Sequence, residues 1–378
     1  MNTVKTVLIS NFPLPFLGIA SWTTRINYHL SNDCSIDYLI CPKSEILVKK
    51  PKQYFMKPQN TFDKIKIQLL GGSKYNNYLD KLNEILFLEK YIIIQVIDNV
   101  GLMFAIIDFV QKRGQRKNVY LQFFYHGYQP FLRSELMCSK IDELILLTKK
   151  SYENFKKELN VLSIKVSVLN NGVDSSKFKL LSFYDKKNLR KKNQFEENTI
   201  YFVWCSQDRK KKGLEIILQA WEELLKVTTY KIELLVIGTN KVIDLKCVRV
   251  IGKVPNNELN KYLQISDFYL FSTLCQEGFG LSLLEALKCG NYCIASNMGA
   301  VSEVLNEGKY GKLIDCPHFV NSWVEAILES LDEYVNNQQV NPYLKNVPSN
   351  LYDIVLWNDG LKNIIKEAKN SFSKRYYL

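Results

Sequence analysis

FYLFSTLCQEGFGLSLLEALKCGNYCIASNMGAVSE, residues 268–303, is the stretch whose reading decides the fold of this 378-residue chain. Residues 268–273 are a short apolar and β-branched run, the pattern of a buried strand. Leu281, Leu284, Glu285, Leu287 and Lys288 follow helical spacing, and Gly290 ends that helix as a C-cap. Residues 292–296 form a second strand. The sum is a βαβ unit, and ligands of such sheets sit beyond the carboxyl ends of the strands.

The loop between strand and helix holds Glu277, Gly278, Phe279 and Gly280, with Leu281 opening the helix. Two glycines let the backbone approach a ligand closely, and the free N–H groups of a helix start suit an anion such as diphosphate. A carboxylate there is a poor anion binder but a good acceptor for the hydroxyls of a sugar held beside that diphosphate. Glu285, about one turn into the helix, is placed to receive a second diol such as a ribose. A solvated loop followed by an ordinary helical glutamate fits the spacing equally well, because short acid–glycine patterns are common.

The longer pattern changes that balance. Glu277-Gly278-Phe279-Gly280-Leu281, then Leu284-Glu285-Ala286-Leu287 and Gly290, then Gly299 and Glu303, resembles the retaining glycosyltransferases of family 4. The resemblance implies the GT-B fold, an α/β architecture of two doubly wound Rossmann-like domains facing a cleft. It also implies that Glu277 contacts donor-sugar hydroxyls and Glu285 the ribose, with Gly278, Phe279, Gly280 and Leu281 lining the donor loop.

Composition is compatible with this and excludes several alternatives. The length suggests two domains, and 47% hydrophobic residues are enough for two cores. The longest greasy stretch, residues 91–110, is interrupted by Gln95, Asp98, Asn99 and Asp108, whereas a membrane helix wants about 20 apolar residues. With no signal-peptide pattern at its start, the protein is expected to be cytoplasmic, with reduced thiols. Nine cysteines form no C-x-x-C pair, the three histidines are not metal-spaced, and there is no Asp-x-Asp triplet. No catalytic metal and no cofactor are expected.

The net charge of +12 is concentrated: residues 1–180 carry +10 and residues 181–378 only +2. An electropositive first half suits an anionic acceptor or peripheral contact with the anionic inner face of a cell membrane, and it is equally read as solvated lysines. No recognition helix or aromatic-basic RNA motif points to nucleic acid.

Along the chain, strands are expected at 4–10, 36–41, 91–97, 119–124, 141–148 and 166–169, alternating with helices. Residues 42–68 show no clear pattern. Gly18 lies in the first strand-to-helix loop, where the family resemblance implies close approach to the donor and where this chain has a single glycine followed by Ile19. His126 stands just past a strand end, followed by Gly127. The resemblance implies that it positions and polarises the reacting sugar without acting as a general base.

Asn170-Asn171-Gly172-Val173-Asp174, with Phe178 after it, resembles the family's junction between domains. Residues 185–198 are lysine-rich and read as a turn-like connection. The second half opens with a strand at 199–205, then Arg209, Lys210, Lys211, Lys212 and Gly213 ahead of a helix. That cluster reads either as a solvated charge run or as a diphosphate clamp, with Arg in bidentate contact and Lys as a point charge. The family carries an Arg and a Lys-Gly here; Lys212-Gly213 matches, and Arg209 lies closer to it than the family's arginine. Trp357 matches a family tryptophan that opens the last helix. Residues 336–349 read as a loose loop.

These readings divide the chain into an acceptor-side domain at 1–180, a donor-binding domain at 199–355, and a helix at 356–378 that crosses back to the first domain. The function implied is retaining, metal-independent transfer of a sugar from a UDP- or GDP-type donor to a hydroxyl acceptor. That acceptor is expected to be a glycan or lipid-linked intermediate of cell-surface polysaccharide synthesis. Glu277, His126, Lys212 and Arg209 are the expected catalytic groups. A nucleotide-sugar epimerase of the same fold, or a non-catalytic nucleotide-sugar-binding subunit, remains the alternative.

Overall fold

The computed structural model describes residues 4–16, 22–32, 34–56 and 74–377. Gly18 lies outside the described residues. The chain divides into two units, Met1–Gly172 with Ile354–Leu378, and Val173–Asp353.

The first unit is built on seven parallel strands: β1 (Lys5–Ile9), β2 (Tyr38–Pro42), β3 (Lys52–Met56), β4 (Ile92–Ile97), β5 (Val119–Tyr125), β6 (Glu143–Leu146) and β7 (Lys165–Val168). Their order is β3-β2-β1-β4-β5-β6-β7. β4 reads IIIQVI and is buried throughout, as a central parallel strand covered on both faces should be. One face packs on helices Asn76–Leu88, Val100–Lys112 and Lys149–Glu158, through residues such as Ile85, Met103, Ile107 and Phe155. The other packs on helix Thr23–Ser31 and on the last helix, Ile354–Tyr377, which contributes Trp357, Leu361 and Ile365.

Gln95, Gln122 and Glu143 on that second face form a paired chain. Gln95 donates to Gln122 at 2.8 Å, Gln122 donates to the buried Glu143 at 2.8 Å, and Lys165 lies 3.1 Å from Glu143. A buried carboxylate needs such partners, because desolvation without them costs several kcal/mol. His29 is likewise structural: Nδ1 lies 2.6 Å from the Asn358 side-chain oxygen, and Nε2 accepts the Ser35 N–H at 3.1 Å.

The second unit has six parallel strands: β8 (Ile200–Cys205), β9 (Ile232–Ile237), β10 (Val248–Gly252), β11 (Phe268–Phe271), β12 (Tyr292–Ser296) and β13 (Lys312–Ile314). The order β10-β9-β8-β11-β12-β13 is the Rossmann order, and it reverses between β8 and β11. Phe202, Phe268 and Tyr292 stack across three neighbouring strands, with centroids 4.4 and 5.1 Å apart. They face helices Leu214–Val227 and Val320–Asn336, which add Trp221, Trp323 and Leu331.

Two expectations about connections are corrected. Residues 185–198 are not a turn-like linker: helix Phe183–Lys192 occupies most of them, N-capped by Ser182. Lys186 and Arg190 on this helix reach the buried Asp267, at 2.7 and 2.6 Å. Burial alone would raise the Asp267 carboxyl, but Lys186 and Arg190 outweigh it and hold the group below the usual carboxylate range. Residues 336–349 are not loose either, because buried Asn341 donates to the carbonyls of Gly290 and Asn291 at 3.2 and 3.0 Å. The strand β3, in the stretch that showed no pattern, was missed because it is a short edge strand with Lys52 and Gln53 in it.

Candidate active site

The candidate donor site grows from the two strands that flank the order reversal of the second sheet. After β8 the chain makes an exposed run at 207–211 that ends in a single 3-10 turn, Lys210–Lys212. Gly213 closes that turn at φ +73°, and a Cβ there would stand 2.0 Å from the Ser272 carbonyl oxygen. Only glycine lets the two loops meet this closely. Ser272 locks the meeting, accepting from the Trp204 indole at 2.9 Å and donating to the Lys212 carbonyl at 2.9 Å. The Leu274 N–H bonds the Lys211 carbonyl at 2.8 Å.

The second loop brings Glu277 to the same place. Its backbone pairs with the turn after β12: the Ala300 N–H reaches the Glu277 carbonyl at 2.8 Å. Gly299 sits against it at φ +68°, and a Cβ would fall 2.5 Å from both Glu277 N and O. The outcome is an ion pair, Lys212 Nζ to Glu277 Oε2 at 2.5 Å, with each side chain about one-fifth exposed at 21% and 22%. The Thr273 hydroxyl lies 3.5 Å from the same carboxylate oxygen.

The remaining expected donor-loop residues are placed as follows. Gly280 is the N-cap of helix Leu281–Lys288, and no side chain caps the N–H groups of that helix start. Phe279 is 2% exposed and packs edge-on against Tyr352, so only its backbone is available to a ligand. Glu285 lies on the next turn, half-buried, near Tyr269 and Cys205. Burial, with the Glu285 charge adding to it, pushes the Cys205 thiol up to about 12, so that thiol is a poor nucleophile at neutral pH. Arg209 is exposed, and its side chain has no bonded partner among the described residues.

His126 belongs to the first unit, just after β5, at the carboxyl edge of that sheet. Sequence reading missed its partner. Asp98, at the end of β4, accepts the His126 backbone N–H at 2.7 Å and lies 2.8 Å from its Nδ1. A carboxylate accepts from Nδ1–H, so the pairing turns Nδ1 toward Asp98 and leaves Nε2 for a ligand. Asp98 has φ 49°, a left-handed conformation that Asp tolerates better than most residues. The signal available in the sequence was a carboxylate at a strand end beside Asn99, the cap of helix Val100–Lys112.

Among the described residues, no cluster of three or more His, Cys, Asp or Glu side chains is arranged to hold a metal ion. No described helix is long and apolar enough to cross a membrane.

Residues 185–346 match the sequence model of the family described as glycosyl transferases group 1. The matched residues lie within the second unit. A phosphatidyl-myo-inositol mannosyltransferase of Propionibacterium freudenreichii is 33% identical to this chain over 128 residues, 33% of each chain. An uncharacterized glycosyltransferase of Methanocaldococcus jannaschii is 25% identical over 280 residues, 70% of this chain and 66% of that one. The chain thus spans between one third and two thirds of the length of these curated relatives.

Among solved structures, sucrose-phosphate synthase from Thermosynechococcus elongatus superposes with a TM-score of 0.74, at 12% identity, over 97% of this chain and 100% of that one. Anabaena HepE in complex with UDP and glucose gives 0.72, at 14% identity, over 96% and 100%. The fold of this chain is GT-B, with both units Rossmann-like.

Proposed function

We propose that this protein transfers a sugar from a nucleoside diphosphate sugar to a hydroxyl acceptor, with retention at the anomeric carbon and without a metal. The observation that carries the reading is the convergence of Lys212 and Glu277 at the reversal point of the donor-side sheet. A cation there neutralises the diphosphate as the bond from the anomeric carbon to the phosphate oxygen breaks and the electron pair leaves with that oxygen. Stabilising the charge that develops in the transition state is usually the largest catalytic contribution. Arg209, exposed and without a side-chain partner among the described residues, is free to join Lys212 on the phosphates. Glu277 accepts from sugar hydroxyls and Glu285 from the ribose.

His126, oriented by Asp98, polarises and positions the sugar. The acceptor is a glycan or lipid-linked intermediate of cell-surface polysaccharide synthesis. Matched relatives named as phosphatidyl-myo-inositol mannosyltransferases support a lipid-linked acceptor. HepE, solved with UDP and with UDP-glucose, supports a uridine donor. The protein works in the cytoplasm, at the inner membrane face if its basic first half engages anionic lipid.

The stereochemistry is tested by slow donor hydrolysis, which needs no acceptor. Proton NMR of the first sugar released from an α-linked donor should show the α anomer ahead of mutarotation. Early release of the β anomer would overturn retention.

A further inference from the structure

In the structure, Lys212 and Glu277 satisfy each other. The lysine is the expected phosphate contact and the carboxylate the expected sugar contact, so neither is idle before the donor arrives. We propose that this ion pair is a specificity device that makes the pocket discriminate the intact donor from the free nucleoside diphosphate. The inference rests on the nucleotide-sugar reading of the site given above.

Binding exchanges the partners of both side chains. A nucleoside diphosphate that takes Lys212 strips Glu277 of its cation and leaves a carboxylate, only 22% exposed, beside a polyanion. A carboxylate that loses its partner in such a place retains the cost of its desolvation, and a nearby like charge adds to it. The Thr273 hydroxyl at 3.5 Å is too distant to replace the lost cation. An intact donor brings its own replacement, because the sugar hydroxyls donate to Glu277 while the diphosphate engages Lys212. The penalty therefore falls on the free nucleoside diphosphate, which is also the product, and weak product binding speeds its release.

The backbone around the pair makes the exchange one of side chains. Glu277 is held by the pairing of its backbone with Met298 and Ala300, and the Lys212 carbonyl by the Ser272 hydroxyl. Removing the Glu277 charge leaves these bonds in place, so the loop geometry survives the substitution.

The test is isothermal titration of UDP, GDP, UDP-glucose and GDP-mannose into the wild-type protein and into Glu277→Gln. The nucleoside diphosphate that binds wild type should bind Glu277→Gln more tightly, by about tenfold, equivalent to about 1.4 kcal/mol. The matching sugar nucleotide should gain less, so the preference for the intact donor shrinks or reverses. Glu277→Ala, which removes the charge without adding an amide donor, should show the same sign and serves if the glutamine variant folds poorly. Unchanged or weaker nucleoside diphosphate binding by both variants would overturn the exchange while leaving the nucleotide site standing. Failure of all four ligands to bind wild type would instead overturn the nucleotide reading and the inference with it.

Discussion

Asp98 holds His126 at two points, its backbone N–H at 2.7 Å and its ring Nδ1 at 2.8 Å, so the imidazole has one orientation. Both residues stand at the carboxyl edge of the first sheet, where β4 and β5 end side by side with Ile97 opposite Phe124. The functional prediction follows from this double grip. Asp98→Asn keeps a residue that tolerates the left-handed backbone and removes the charge that faces Nδ1. Misplacement of a positioning group by about 1 Å can cost about 10²-fold, so kcat should fall toward that extent with the donor KM little changed. Equal kcat in Asp98→Asn and wild type would remove the pair from the mechanism.

Lys212→Ala should weaken nucleoside diphosphates far more than nucleosides. A hydrogen bond to a charged group contributes about 1.5–3 kcal/mol, which is roughly 10- to 150-fold in the dissociation constant. Equal losses for UDP and uridine, measured by titration, would indicate a folding defect in place of a lost phosphate contact.

Gly213→Ala should disturb both stability and site. The position needs φ +73°, and the new methyl would meet the Ser272 carbonyl at 2.0 Å. A left-handed conformation alone costs about 1–3 kcal/mol for a non-glycine residue, before the clash is counted. Thermal denaturation should show a lowered Tm, and the surviving folded protein should bind nucleotide poorly because Lys212 has moved. A variant with wild-type Tm and affinity would show that the close approach of the two loops is dispensable.

The cluster of Asp267 with Lys186 and Arg190 sets an acid limit on the second unit. Because the Asp267 carboxyl is held below the usual range, its contribution to stability is complete above its unfolded value near 3.8. It is lost only as the pH falls through the depressed folded value. Asp267→Ala leaves buried Arg190 and half-buried Lys186 without their partner and should cost about 3–5 kcal/mol at neutral pH in urea denaturation. A cost below about 1 kcal/mol, the range of exposed pairs, would mean that the cluster is solvated.

The parts of this protein legible in its sequence are those set by local pattern. Continuous apolar runs such as IIIQVI mark buried parallel strands, and the glycine at 280 followed by helical spacing marks the start of helix Leu281–Lys288. What was not legible depends on partners distant in the chain. Lys186 and Arg190 look like solvated linker charges until Asp267, 81 and 77 residues on, is placed beside them. Asp98 is one more loop acid until the pairing of β4 with β5 sets it against His126, 28 residues later. Phe279 sits in the ligand loop by sequence, yet its ring belongs to the core beside Tyr352, because sequence position does not give side-chain direction.

The central claim, that the second unit is a donor site for a nucleoside diphosphate sugar, is tested most directly by thermal shift. UDP, GDP, ADP, CMP and their common sugar conjugates would be screened against wild type and Lys212→Ala. A ligand at a hundredfold excess over its dissociation constant adds about 2.7 kcal/mol of stability. The account predicts that one base series raises the wild-type Tm, that its sugar conjugate does so at least as strongly as the free diphosphate, and that Lys212→Ala abolishes both shifts. No shift of the wild-type protein with any of these ligands at millimolar concentration would contradict it.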